Sequence, residues 1–210
     1  MLRTFTTQSE EIQHLITNDP ILGDVIKKIG TLTYTTDEGS LEFFVDTIVS
    51  QMLSNKAANA IFARLKDICG GEITAVKLEP FSISDLRDTG LSERKAGYII
   101  GLAKHFRENP DYFDTLAGKS DKEVMNKLTK LRGIGPWTAK MYLIFVLDRP
   151  DILPFEDGAF QQAFRWAYPD IECNEKNMKE VCSPWHPYAS IASRYLYWAV
   201  DSGLTKPGNG

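Results

Sequence analysis

The apolar positions of this chain recur mostly at steps of three and four, the spacing that lays side chains along one face of a helix. In LEFFVDTIVSQML, the residues Leu41, Phe44, Val45, Ile48, Val49 and Met52 follow that spacing and predict one helix face. NKAANAIFARLKDI predicts a second helix, and SERKAGYIIGLAKHF a third that opens on Ser92, a suitable N-cap. DKEVMNKLTKL, DGAFQQAFRWAY and PYASIASRYLYWAV add three more. WTAKMYLIFVLD is apolar almost all round, so a central buried helix is expected there. No stretch alternates clearly enough to predict a strand, and neither a repeat nor a low-complexity linker is present. Residues 1 to about 40 carry no readable pattern, and TKPGNG at the end reads as a frayed tail.

Composition adds limits rather than direction. The chain has 210 residues, 43% of them hydrophobic and 25% charged, which is ordinary for a globular protein with a buried core. The three cysteines, Cys69, Cys173 and Cys182, lack metal-type spacing, so neither a disulfide framework nor a zinc site is expected, and a reducing compartment is. No run approaches the ~20 apolar residues of a membrane span. The start, MLRTFTTQSEEIQHL, lacks the apolar core of a signal peptide, and a cytoplasmic protein is the default. The net charge of −4 argues weakly against nucleic acid, but its distribution argues the other way. Between Lys119 and Arg149 stand seven basic residues (Lys119, Lys122, Lys127, Lys130, Arg132, Lys140, Arg149) against three acids, Asp121, Glu123 and Asp148. That local excess suits a phosphate backbone; a merely solvated helix face is the alternative.

The basic stretch contains LRGIGPWTAK. Gly133 and Gly135 are expected to take dihedrals that side chains forbid, and Pro136 suits the first turn of a helix. The pattern is helix, glycine turn, helix. Main-chain N–H groups at the second helix start, together with its dipole, would make an anion site; a plain αα-hairpin with a glycine cap is the alternative. About twenty residues on, in ILPFEDGAF, Asp157 precedes a helical run and reads first as its N-cap. Capping hydrogen bonds favour the ionised form of a carboxylate. Beside a bound nucleotide such a group stabilises positive charge developing on a sugar, or orients a water.

LRGIGPWTAKMYLIFVLDRPDILPFED closely resembles the helix-hairpin-helix, Gly/Pro-rich loop and catalytic aspartate of the HhH-GPD DNA glycosylases, most of all the alkylpurine, DNA-3-methyladenine glycosylase II branch. Three further stretches match in order over roughly residues 40 to 200. IVSQMLSNKAANAIFARL resembles the family's segment that enters the minor groove, GLSERKAGYIIGLA the helix after it, and SPWHPYASIASRYLYWAV its C-terminal helix. The resemblance implies an all-α fold of two helical lobes with a cleft between them. One lobe would run roughly over 40–118 and the other over 119–205 with part of 1–40, the hairpin spanning 121–148. It implies that a damaged base is flipped out of double-stranded DNA. Asp157 would then be the catalytic carboxylate. Arg132, Gly133, Ile134, Gly135 and Lys140 would grip a phosphate. Gln51, Met52, Leu53 and Ser54 would enter the minor groove, with Met52 as the wedge; a core position on the 41–52 helix face is the alternative for Met52. Backbone carbonyls of Thr129, Leu131 and Ile134 would hold a sodium or potassium ion. Trp137, Met141, Tyr142 and Arg194 fall where the family lines its base pocket.

In superfamily members that also cut the strand, a lysine stands two places after the second hairpin glycine and forms a Schiff base. Here Trp137 stands there, so a monofunctional enzyme is expected, with the indole face offered to a cationic alkylated purine. No cofactor is expected: three scattered cysteines cannot build the family's four-cysteine iron–sulfur cluster. The β-rich N-terminal domain of longer alkylpurine enzymes is expected to be missing. Arg194 and Met141 stand where aromatics are common, and an arginine facing the pocket would repel a cationic base unless it pairs with an acid. The expected partner is damaged duplex DNA, the protein a monomer without membrane association, sited in the bacterial cytoplasm at the nucleoid or in a nucleus. A glycosylase for an oxidised or deaminated purine, and a non-catalytic DNA-binding module, remain open.

Overall fold

A computed structural model describes residues 1–37 and 40–206, apart from the side chain of Asn55. In chain order come strand β1 (Leu2–Phe5), helices α1 (Glu10–Asn18) and α2 (Pro20–Ile29), and strand β2 (Leu32–Thr35). Helices α3 (Leu41–Ser50), α4 (Asn55–Ile68), α5 (Ala75–Leu78), α6 (Ile83–Asp88), α7 (Glu93–Glu108) and α8 (Asp114–Ala117) follow. Then come α9 (Asp121–Leu128), α10 (Pro136–Met141), a π-helical turn (Tyr142–Val146), α11 (Gly158–Ala167), α12 (Glu175–Val181), a short 3₁₀ turn (Ser183–Trp185) and α13 (Ala189–Asp201). Most of these helices begin at a residue able to cap them. Ser40, Ser54, Thr74, Ser82, Ser92, Ser120, Asp157 and Asn174 each accept a hydrogen bond from the main chain of the helix that follows.

The chain divides into one unit of Asp37–Tyr142 and a second of Met1–Thr36 with Leu143 onward. The division falls after Tyr142, not near residue 118. The reason is aromatic packing within the first unit: the Tyr142 ring stacks on Phe44 at 5.2 Å and lies 6.0 Å from Phe113, and Phe44 stacks on Phe113 at 5.5 Å. The run expected to be one continuous buried helix is therefore α10 followed by a π-helical turn, with Thr138, Ala139, Met141, Tyr142, Leu143 and Ile144 all buried.

The second unit contains the strands that the sequence did not reveal. β1 and β2 pair antiparallel, Leu2 opposite Thr35 and Phe5 opposite Leu32. Four residues each, they are too short for alternation to stand out; only Phe5 and Leu32 are buried. The core of this unit joins Ile12, Leu15, Leu22 and Ile26 to Phe160, Phe164, Trp185 and Tyr195. The tail expected to fray lies mostly outside the described residues, and its first residue, Thr205, accepts a hydrogen bond from Gln162 at 2.9 Å.

At the centre of that core Asp19 caps α2 through the Leu22 N–H at 3.0 Å. Its other oxygen accepts the Tyr168 hydroxyl at 2.6 Å and the Trp185 indole N–H at 2.8 Å. All three donors are buried, so removing the carboxylate strands them in an apolar surrounding. Asp19→Ala is expected to cost about 3 kcal/mol and to lower the melting temperature by roughly 6–12 °C. Calorimetry or urea unfolding checks this, and a change below 1 kcal/mol would show the network to be dispensable.

Candidate functional site

In the first unit α3 stops at Ser50. Gln51 leaves the helix with ψ 124°, Met52 takes a left-handed φ of 58°, and Ser54 starts the next helix. The alternative that Met52 is a core residue thus fails. Its side chain is 99% exposed, on a backbone conformation that costs a non-glycine residue roughly 1–2 kcal/mol. Leu53 is also exposed, with its N–H turned back to Ser50 O at 3.2 Å. The loop is tied from beneath. Lys95 of α7 donates to the carbonyls of Val49 at 2.8 Å and Gln51 at 2.7 Å, and the Gln51 amide donates to Gly133 O at 3.3 Å. An apolar tip held outward by a polar base is a poor way to build a core and a good way to present a side chain.

The glycine turn lies at the other end of that last hydrogen bond. Leu131 N–H reaches Leu128 O and Ile134 N–H reaches Leu131 O, closing the turn after α9. Gly133 has φ 95°, and a Cβ there would stand 2.7 Å from the Tyr98 ring. Gly135 differs from expectation: at φ −95° and ψ 179° it is extended, a conformation open to any residue. Nothing lies within 4 Å of where its Cβ would be, so its smallness leaves open space above the main chain at the start of α10. Ile134 between them is buried. Lys122, Lys130 and Arg132 are exposed around the turn, and Lys140 is partly buried. The basic stretch does not stay in one unit, since Asp148 and Arg149 belong to the other.

Of the four side chains expected to line a pocket, Trp137 keeps partial exposure. Met141 and Tyr142 are buried, and burial holds the Tyr142 phenol well above its ordinary pKa, with Tyr112 and Asp114 adding to the rise.

In the second unit, Asp157 caps α11. Its Oδ1 accepts the Phe160 N–H at 2.8 Å and its carbonyl accepts Gln161 N–H at 2.9 Å. The residue is 8% exposed, so the carboxylate has one defined orientation in a nearly dry place. The buried Tyr197 hydroxyl lies near it without completing a hydrogen bond of ordinary geometry. Burial first, then the Asp157 charge, keep that phenol protonated far above its usual pKa.

Arg194 is buried and already paired. It donates to Ile144 O at 2.6 Å, lies 3.7 Å from Asp148, and places its guanidinium 3.6 Å from the centre of the Tyr34 ring and 4.7 Å from that of Phe145. Asp148, at φ 50°, also accepts Arg3 Nε at 2.7 Å and the Tyr34 hydroxyl at 2.9 Å. Burial pushes the Tyr34 phenol up to about 12, against the opposing charge of Arg194. Residues 1–36, unreadable in sequence, thus pin the segment that leads to Asp157. Lys95 and Tyr34 escaped the sequence reading, and Asp148 entered it only as an acid of the basic stretch, because each gains its role from a partner distant in the chain.

The family model for the HhH-GPD superfamily base excision DNA repair protein matches residues 45–187, which include the exposed loop, the glycine turn and Asp157. The chain belongs to the HhH-GPD superfamily. A DNA-3-methyladenine glycosylase of Saccharomyces cerevisiae is 34% identical over 72% of this chain and 57% of its own length. The HhH-GPD chain therefore spans little more than half of that relative. The crystal structure of a DNA-3-methyladenine glycosidase from Bacillus halodurans superposes with a TM-score of 0.81 at 32% identity, covering 97% of this chain and 95% of the other. A 3-methyladenine DNA glycosylase from Schizosaccharomyces pombe, solved with abasic DNA, gives 0.79 at 25% identity over 92% and 97%. Within the HhH-GPD superfamily the chain belongs to the alkylpurine branch that these relatives represent.

Proposed function

We propose that this HhH-GPD protein is a monofunctional DNA glycosylase that removes alkylated purines from duplex DNA. The observation that carries the proposal is Asp157, a nearly buried carboxylate fixed by the first turn of α11 and placed after the glycine turn as the family requires. Alkylation at a purine ring nitrogen makes the base cationic and a good leaving group. As the C1′–N bond breaks, the Asp157 carboxylate stabilises the positive charge on the sugar and orients a water. The water oxygen bonds to C1′, its proton passes to solvent, and the base departs with the bonding electrons. Trp137 stands where a lyase would have lysine, so no covalent enzyme–sugar adduct forms through that position, and its indole offers a face to the cationic base. The charge of the buried Arg194 is offset by Asp148. Met52 fills the gap left by the extruded nucleotide, flanked by Gln51, Leu53 and Ser54.

Hydrolysis by a carboxylate and a water requires no cofactor. At the turn, Thr129 ends α9 and Leu131 O, which already accepts the Ile134 N–H, retains a second lone pair. Together with Ile134 O they would hold a sodium or potassium ion, adding positive charge where a phosphate docks. No helix among the described residues is long and apolar enough to cross a membrane. A monomer in the compartment that holds DNA, the bacterial cytoplasm or a nucleus, is the form this reading requires.

The test is release of free base from alkylated duplex DNA, with products read before and after alkali. Free alkylpurine, with strand breaks only after alkali, is expected. Breaks without alkali would identify another nucleophile and end the monofunctional reading. DNA binding without release would point to an oxidised or deaminated purine, or to a binding module. The phosphate grip has its own test. Gly135→Ala places a methyl in open space and should leave the melting temperature unchanged while weakening damaged and undamaged duplex alike by roughly tenfold. Unchanged affinity in an anisotropy titration would make the turn purely structural.

A further inference from the structure

The Lys95 ammonium is drawn partly out of water and forms no salt bridge among the described residues. Its two hydrogen bonds go to the carbonyls of Val49 and Gln51, the end of α3, where unpaired carbonyls and the helix dipole favour a cation. Burial, followed by Arg94, lowers the Lys95 pKa, so the ammonium is kept in place at a cost. Directly beyond the carbonyls it holds, the chain makes the left-handed turn that throws Met52 outward, and Gln51 reaches across to Gly133 O. From α7, Lys95 therefore holds the two carbonyls at the root of the loop, one of them that of the residue whose amide reaches the glycine turn.

We infer that Lys95 is a positioning residue for base extrusion, holding the 51–54 loop in its strained, outward form so that Met52 meets the DNA already oriented. The inference rests on the reading of Met52 as the wedge. A loop with a left-handed residue at its tip relaxes unless its base is over-determined. Lys95 supplies two hydrogen bonds to that base, and it does so through the main chain, independent of which side chains the loop carries. Without it the loop samples other conformations, and base extrusion on the bound duplex must wait for the competent one.

The experiment compares Lys95→Met, Lys95→Arg, Met52→Ala and the Lys95→Met/Met52→Ala double variant. Three readouts are used: amide hydrogen exchange over residues 50–54, affinity for undamaged duplex, and the single-turnover rate of base release from an alkylated duplex. Lys95→Met is expected to speed exchange in the loop and to slow base release roughly tenfold, with affinity for undamaged duplex unchanged because the phosphate contacts of the turn remain. Lys95→Arg, which can still donate to both carbonyls, should recover most of the rate. In the double variant the two effects should overlap rather than add, since Lys95 acts through Met52. Additive losses, or unchanged loop exchange in Lys95→Met, would overturn the inference while leaving Met52 as wedge. A full rate in Met52→Ala would overturn the wedge reading itself, and the positioning role with it.

Discussion

Asp157→Asn is expected to abolish most base release, by about 100- to 1,000-fold in single-turnover rate, while the protein folds and binds damaged duplex as before. The two halves of that expectation have separate causes. Asparagine is as good an N-cap as aspartate, so its amide oxygen can still accept the Phe160 N–H that Asp157 Oδ1 accepts at 2.8 Å. The first turn of α11 is kept. The negative charge is lost, and with it the group that opposes positive charge on the sugar as the base leaves. Asp157→Ala should lose the cap as well, costing about 1 kcal/mol of stability in addition to activity. Melting curves for the two variants separate the roles. Near-normal base release by Asp157→Asn would return Asp157 to the status of a helix cap and require another acid.

Gly133→Ala should damage the fold itself. The residue sits at φ 95°, and an added Cβ would meet three carbons of Tyr98 at 2.7–2.8 Å. The left-handed backbone costs roughly 1–2 kcal/mol for alanine, and the collision with a ring wedged against the turn roughly 1–3 more. Relief would require moving the carbonyl that accepts the Gln51 amide, and so the loop that carries Met52. A large fall in melting temperature and a loss of DNA binding are therefore expected together. Adding Tyr98→Ala should recover only the ring's share of the steric part, since the Cβ at 2.8 Å remains, and none of the backbone part. A stable Gly133→Ala protein with ordinary DNA affinity would contradict this account. The contrast with Gly135→Ala makes the point sharper: two glycines two residues apart are small for different reasons. One cannot accept a side chain within the fold, and the other has room for one but leaves that room open.

The fold was legible where local rules set it. α7 begins after Ser92, as its capping serine announces, and α11 begins after Asp157. The apolar run after Trp137 read as a buried helix because every face was apolar, but periodicity could not show that it becomes π-helical at Tyr142. The paired strands were missed because each holds only four residues. Met52 was ambiguous for a related reason. It continues the spacing of the α3 face, and only the end of that helix at Ser50, followed by a left-handed turn, removes it from the core.

By itself the sequence determined the helical class, the glycine turn and the carboxylate at the start of α11, since caps, turns and helix faces depend on neighbours within a few residues. Only the tertiary structure decided what those features rest on. Lys95 meets the end of α3 from 44 to 46 positions away, Tyr34 meets Asp148 from 114, and Trp185 meets Asp19 from 166. Asp148 offsets the charge of Arg194 from the far end of a different helix connection. A carboxylate, an ammonium or a ring has the same local signature whether it faces water or a distant partner. Burial and hydrogen bonding set its energy, and both are properties of the folded chain.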